Sequence, residues 1–363
     1  MCSRSAAFLF LSVLFTTLFT SCKKRHTIPA MAFYHWTVAS DSYDATEQQR
    51  AALQHFKTTH LYIKVMDIDW DEIYGVYPIT TVAVSSLANS ITDSVAIVPV
   101  VFITVRALEK TADKDIAGLA QKIFLKTNQL CGRKLYEMKA GESVITDTSF
   151  TYNELQLDCD WTASTQQKYF ALLTQVKKLA PQKRITSTLR LHQYRYPKKT
   201  GVPPVDELYL MCYNTGEVKN LDEKNSIFDY DKAKAYFKDA NKYPEKLNFA
   251  LPAFSWSIIF KNNRFYKIDN EIDDDFFEDT TVVKQRSSNT WLLVVDTVIH
   301  NNFLRKGDII KQEKISPLAM WQAAHLCSTA INSDSFNVVF YDISHIKPND
   351  YEAVQNAFST FMY

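Results

Sequence analysis

Leu155-Gln-Leu-Asp-Cys-Asp-Trp-Thr162 is the stretch on which the reading of this chain turns. Its apolar run and alternation fit a β-strand, on which successive side chains point to opposite faces. Asp158 and Asp160 then share one face, and Cys159 and Trp161 the other. Two like charges side by side are costly to bury without partners, so the pair predicts a solvated cleft at a strand end. An exposed strand end with two solvated acids is the plainer alternative. In a cleft, Asp158 and Asp160 are the candidate catalytic carboxylates.

Outward from this strand the sequence alternates between two patterns. Apolar, β-rich runs at Met31–Val38, His60–Asp67, Ala96–Thr104, Glu154–Trp161, Arg184–His192, Glu207–Tyr213, Leu247–Ser255 and Phe336–Asp342 predict eight strands. Few carry a charge before their last residues, as expected of parallel strands covered on both faces. Helical spacing is predicted over Ala45–Lys57, Asp113–Leu130, Thr165–Leu179, Asp231–Asn241, Pro317–Ile331 and Asn349–Phe361. Residues 77–90 fill a helix position despite their β-branched content, and Pro197, Pro203 and Pro204 leave no room for a full helix over 194–206. The pattern predicts an α/β fold, a closed (β/α)8 TIM barrel over residues 31–363. A small α+β insertion is expected over 258–315, after strand seven. Within it, Lys261-Asn-Asn-Arg264 reads as a hairpin turn and Asp273–Asp275 as a solvated loop rather than a metal site.

Composition narrows the function. The chain has 363 residues, 46% apolar and 22% charged, with 41 basic against 40 acidic side chains. No basic field favours nucleic acid. The seven glycines include no pair close enough for a phosphate cradle or a Gly-x-Ser-x-Gly nucleophile turn. Scattered histidines and the lack of Cys-x-x-Cys or His-Glu-x-x-His give a zinc site no support, so neither metal nor cofactor is expected. Cys131, Cys159, Cys212 and Cys327 read as buried thiols. The oligomeric state is not legible.

Residues 1–21 carry Arg4, an apolar run from Ala6 to Phe19 and small residues before Cys22, the pattern of a signal peptide. Phe19-Thr-Ser-Cys22 is similar to a bacterial lipoprotein signal, which implies cleavage before Cys22 and lipidation of that cysteine. An uncleaved anchor is the alternative. Residues 22–30 are then a short basic tether, and the folded part belongs to the bacterial cell envelope. With no acidic residue just after Cys22, the periplasmic side is expected rather than the cell surface.

In such a barrel, functional side chains come from strand C-termini and the loops after them. The candidates are His35 and Trp36 from strand one, Asp67 and Asp69 from strand two, Thr104 and Arg106 from strand three. Strand five alternates to send Thr188, Arg190, His192 and Tyr194 to one face. Tyr213 and Asn214 end strand six, Ser255 and Trp256 strand seven, Tyr341 and Asp342 strand eight. Carboxylates, an Arg, a His and aromatics at one mouth suit a ligand with many hydroxyls and flat apolar faces. A saccharide, oligomer or polymer, is the expected partner.

The same residues resemble a known family. Leu157-Asp-Cys-Asp-Trp-Thr162 is similar to the Asp-x-Asp-x-Glu strand of the family 18 glycoside hydrolases, the chitinase-like barrels. Leu210-Met-Cys-Tyr-Asn214 resembles that family's Met-x-Tyr-Asp, and Ala250-Leu-Pro-Ala-Phe-Ser-Trp256 its Pro-containing strand seven, which an α+β insertion commonly follows. The resemblance implies a substrate-assisted mechanism in which the Glu protonates the glycosidic oxygen and the preceding Asp orients the acetamido nucleophile. Asp160 and Tyr213 match the orienting Asp and the strand-six Tyr. Thr162, however, stands where the acid should be, and a threonine cannot deliver a proton at neutral pH. Three readings follow: a tethered saccharide-binding barrel, an active glycosidase pairing Asp158 or Asp160 with Asp67, Asp69 or Asp342, or a structural lipoprotein that binds a protein.

Overall fold

A computed structural model describes residues 28–36, 44–84, 91, 94–139, 142–149, 151–238, 243–300 and 302–362. The expected signal peptide and Cys22 lie outside them. Eight parallel strands form a ring: β1 (Ile28–His35), β2 (His60–Asp71), β3 (Ala96–Ile103), β4 (Glu154–Asp158), β5 (Arg184–Arg190), β6 (Glu207–Met211), β7 (Leu247–Pro252) and β8 (Ser335–Tyr341). Each pairs with the next in chain order, and β1 pairs with both β8 and β2, which closes the (β/α)8 barrel.

The outward faces of the strands are apolar and covered by helices. Phe33, Phe249, Val338 and Phe340 are fully buried there. Over β4 and β5, Tyr169, Leu172, Leu173 and Val176 form one stripe of the helix Gln166–Leu179, the Tyr169 hydroxyl donating to the Leu157 carbonyl at 3.0 Å. Met320, Ala323, Ala324 and Cys327 do the same on Pro317–Ser328. Local chemistry sets the helix starts. At Glu47–His55, Thr46 Oγ1 accepts from the Gln49 N–H and the Gln49 side chain accepts from the Thr46 N–H, a reciprocal cap.

The interior departs from the usual filling of branched aliphatics. Tyr62 and Tyr209 meet hydroxyl to hydroxyl, Asn337 Nδ2 donates to both at 3.2 and 2.8 Å, and Glu154 accepts from Thr186 at 2.8 Å and from Arg184 at 2.9 Å. One level nearer the strand C-termini, Tyr34 donates to Gln156 Oε1 at 2.7 Å. Tyrosines fill the ring with bulk, and each buried hydroxyl then needs a partner from a facing strand.

Several segments differ from the sequence reading. Gly75–Thr81 is a strand, not a helix, and folds back antiparallel on β2 beyond the ring. Its β-branched residues were the signal for that, and residues 85–90 lie outside the described set. Strand β5 stops at Arg190, where the chain turns into Leu191–Arg195, so the expected alternation through His192 and Tyr194 ends there. Two elements carried no recognised signal, the short helix Val105–Lys110 and the hairpin Gly132–Lys139/Glu142–Ser149.

After β7 comes a five-stranded antiparallel sheet in the order Arg264–Asp269, Ser255–Lys261, Ile309–Lys314, Thr290–Leu293, Val283–Ser287. The turn at Asn262-Asn263 is as expected, both residues left-handed at φ 50° and 59°, which asparagine tolerates. The helical content of this segment, among its described residues, is one 3₁₀ turn, Asp275–Glu278. Asp274 of the acidic run holds Lys314 at 2.5 Å and Gln312 at 2.9 Å. A buried ion pair joins this sheet to the loop after β6: Lys311 Nζ lies 2.8 Å from Glu313 Oε1, and Glu313 Oε2 accepts from Ser226 and from the Trp256 indole. Lys311→Met should strand the Glu313 charge and cost about 3–5 kcal/mol in urea unfolding. A loss under about 1 kcal/mol would show that Ser226 and Trp256 satisfy Glu313 unaided.

Candidate functional site

At the C-terminal end of the ring is a cavity of about 400 Å³. Its acidic side is built by the register of β4 on β5, which sets Glu154 beside Arg184 and carries on upward. One residue beyond the last pair, Thr188 Oγ1 donates to Asp158 Oδ1 at 2.6 Å. At the next level Arg190 Nη1 donates to Asp160 Oδ2 at 2.5 Å. Burial, and then the Asp160 charge, push the Asp158 carboxyl up to about 7, against the Thr188 hydroxyl and the Arg190 and Lys64 charges. Asp158 is buried, whereas the Asp160 side chain is 42% exposed. The two share one face, as the alternation required, although the strand ends at Asp158.

Asp342 forms the third carboxylate. Burial alone would raise it, but His35 and the backbone N–H groups of Ser344 and Trp36 outweigh that and hold it below the usual carboxylate range. Aromatic rings line the rest. Trp36 packs on Tyr34, Phe102 and Tyr341, and Tyr213 stacks on Tyr341 with ring centres 5.5 Å apart. Phe254 stands edge-on to Tyr213, Tyr341 and Trp256. Lys64 lies 5.2 Å over the Trp36 ring, so its charge faces the cavity while its Nζ is 2.7 Å from Asp67.

Of the residues chosen from sequence, Trp36, Asp158, Asp160, Thr188, Arg190, Tyr213, Asn214, Ser255, Trp256, Tyr341 and Asp342 line this cavity. Others do not. His35 is buried behind Asp342, with Nδ1 3.1 Å from Ser344 Oγ. Asp67 is buried against Lys64 and Thr80. Asp69 is taken up on the rim by Arg106, whose hydrogen bonds lower it to about 2, and by Thr104. His192 lies exposed on the turn after β5, and Tyr194 is buried against Phe237 and Tyr243. Of the three carboxylates considered as relocated partners for Asp158 or Asp160, Asp342 alone shares their cavity.

Sequence reasoning missed Tyr34, Lys64, Phe102, Met211, Phe254, Ile268, Asn270 and His345. Alternation held the signal for the first three, since Tyr34 precedes Trp36 by two positions and Lys64 and Phe102 sit on inward positions of their strands. Asn270, Ile268 and His345 come from loop and inserted-sheet placement, which no local pattern carries.

Thr162 is not in the cavity. Beyond Asp160 the chain leaves the ring: the Trp161 indole donates to the Thr200 carbonyl at 3.1 Å and stacks on Tyr169. Thr162 is exposed, its hydroxyl 2.8 Å from Ser164 and its N–H donating to Thr165 Oγ1 at 3.0 Å.

Asp158 links the site to stability. Its carboxyl binds a proton more tightly folded than unfolded, so its contribution is full below about pH 4 and is lost as pH rises through about 7. Relative to Asp158→Asn, the wild type should lose up to about 4 kcal/mol of unfolding free energy between pH 4 and 8. Parallel pH profiles for the two proteins would contradict the raised carboxyl.

No protein-family model matches the chain, and no curated protein does. Solved structures do. A C-terminal domain from Desulfitobacterium hafniense DCB-2, of a protein with a provisional chitinase name, matches at TM-score 0.52 and 9% identity, over 92% of this chain and 99% of that one. A chitinase from Chromobacterium violaceum ATCC 12472 matches at 0.49 and 10%, over 92% and 99%. The Bacillus cereus spore cortex-lytic enzyme SleL matches at 0.49 and 12%, over 91% and 74%. The likeness at 0.52, together with the closed ring, establishes the fold. In fold, this chain is similar to a chitinase-like (β/α)8 barrel.

Proposed function

We propose that this barrel binds an oligosaccharide or polysaccharide at its mouth and lacks the substrate-assisted hydrolysis of the family it resembles. The observation that carries this is the pairing of an aromatic-walled, carboxylate-bearing cavity with an exposed Thr162 outside it. A cavity of about 400 Å³ is the size of a small-ligand site. Trp36, Tyr213, Tyr341 and Trp256 offer flat faces for sugar rings, while Asp160, Asp342, Asn214 and Arg190 offer acceptors and donors for hydroxyls.

The tether belongs to the same reading. With lipid on Cys22, five residues, 23–27, separate the anchor from β1. They reach about 18 Å when extended. On this reading the tether joins the barrel at the end of the ring where β1 begins, opposite the cavity, and the compartment proposed is the periplasmic side of a bacterial envelope.

One observation favours a second reading, an active glycosidase. A carboxyl titrating at about 7 suits a general acid, and Asp158 lines the cavity together with Asp342. A glycan array followed by product analysis separates the readings. Binding without cleavage is expected, with Trp256→Ala and Tyr213→Ala each weakening the retained glycan at least tenfold. If products form, Asp158→Asn should slow them by at least about two orders of magnitude. A chain that retains no glycan at all would overturn both readings and leave a structural lipoprotein.

A further inference from the structure

A second concavity, of about 390 Å³, lies outside the strand ring. β2 runs past the ring before turning back, and on that extension Asp69 and Trp70 point to opposite faces. Asp69 is held by Arg106, and Trp70 lines the outer groove. The helix Val105–Lys110 and the start of Ile116–Cys131 form the opposite wall. Both follow the C-terminal end of β3, so the groove sits at the same end of the barrel as the cavity.

Its chemistry is distinct. Lys110, Lys114 and Lys122 line it against a single acid, Asp115. Among the residues whose side chains are described, no carboxylate lies within ion-pair distance of the three lysines. Asp71, at the end of β2, accepts from the backbone N–H groups of Ile73 and Tyr74 at 2.8 and 3.2 Å and is not part of the groove lining. Lys110 Nζ stands 4.5 Å over the Trp70 ring, and Tyr74 is 72% exposed at the hairpin turn. A cleft with a surplus of one sign concentrates ligands of the other, and aromatic rings beside cations favour a ligand with both apolar faces and negative charge.

We propose that this groove binds an acidic polysaccharide, one carrying carboxylate or sulfate groups along its chain. The proposal goes beyond the mouth reading, at a separate site, and rests on the tether described there. A tether attached where β1 begins would join the end of the ring opposite the groove, and the Trp70 and Tyr74 rings beside the lysines suit the faces of sugar rings, which together favour a glycan over anionic lipid headgroups.

The test is calorimetric titration of the full chain at low and high salt. The probes are oligogalacturonate for the groove, a neutral chito-oligosaccharide for the mouth, and phosphatidylglycerol vesicles. K110Q/K114Q/K122Q should weaken oligogalacturonate at least tenfold and flatten its salt dependence, leaving the neutral probe unchanged. Gly118→Leu should also weaken it, by filling the groove without removing charge, since a Cβ at Gly118 meets nothing within 4 Å. Trp256→Ala should do the reverse. Unchanged oligogalacturonate affinity in both groove variants would overturn the proposal. So would its loss in Trp256→Ala, which would place the acidic chain in the mouth, or its displacement by vesicles in a lysine-dependent way, which would make the groove a lipid contact. Binding of oligogalacturonate at the groove with no binding of the neutral probe would leave this proposal standing and remove the mouth reading.

Discussion

The inward face of β4 is the constraint on which the rest of the molecule depends. Glu154, Gln156 and Asp158 occupy successive inward positions, so one strand supplies a polar group at each level of the ring. At the bottom Glu154 gathers Arg184 and Thr186, in the middle Gln156 receives Tyr34, and at the top Asp158 receives Thr188. Every partner comes from a neighbouring or facing strand, so ring closure and polar satisfaction are achieved together. Slipping β4 by one residue would send all three side chains into the apolar outer layer, where nothing could pair with them.

The same column explains the electrostatics of the mouth. Asp158 is its last member, placed where the ring is still dry, and its carboxyl rises for that reason. Asp160, one step higher, is partly solvated and paired with Arg190. Two carboxylates two positions apart thus receive different environments, one buried against Thr188 and the other partly exposed against Arg190. On the far side, His35 and two backbone N–H groups keep Asp342 ionised. Thr162 does not share in this, because Trp161 anchors the chain outside the ring before Thr162 is reached. The inserted sheet adds its part through Glu313, which holds the Trp256 indole at 2.9 Å and so fixes one wall of the cavity.

Much of this was legible in the residues. Eight apolar runs with few charges before their last residues predict strands buried on both faces, and their alternation with helices predicts the closed ring. Period-two alternation in residues 155–162 places Asp158 and Asp160 on one face, and Asn262-Asn263 marks its turn through the left-handed backbone that asparagine accepts. Local patterns failed where the chain changes direction. Alternation carried past Arg190 assigned His192 and Tyr194 to the mouth, but the strand had already become a helical turn. Likewise, Gly75–Thr81 pairs with an extension of β2, a tertiary opportunity that overrode the position it occupies in the βα rhythm.

What the sequence determined by itself, then, is the inventory of the ring: which runs form its eight strands and which faces of them are apolar. These depend on neighbours a few positions apart, and short-range spacing records them. The tertiary structure alone decided which polar strand ends meet. Asp67 and Asp69 resemble Asp158 in the chain, yet Lys64 and Arg106 draw them out of the cavity, while Lys64 itself turns toward it over Trp36. Such pairings join residues from different strands and loops, whose separations are set by the closed ring and by no pattern along the chain.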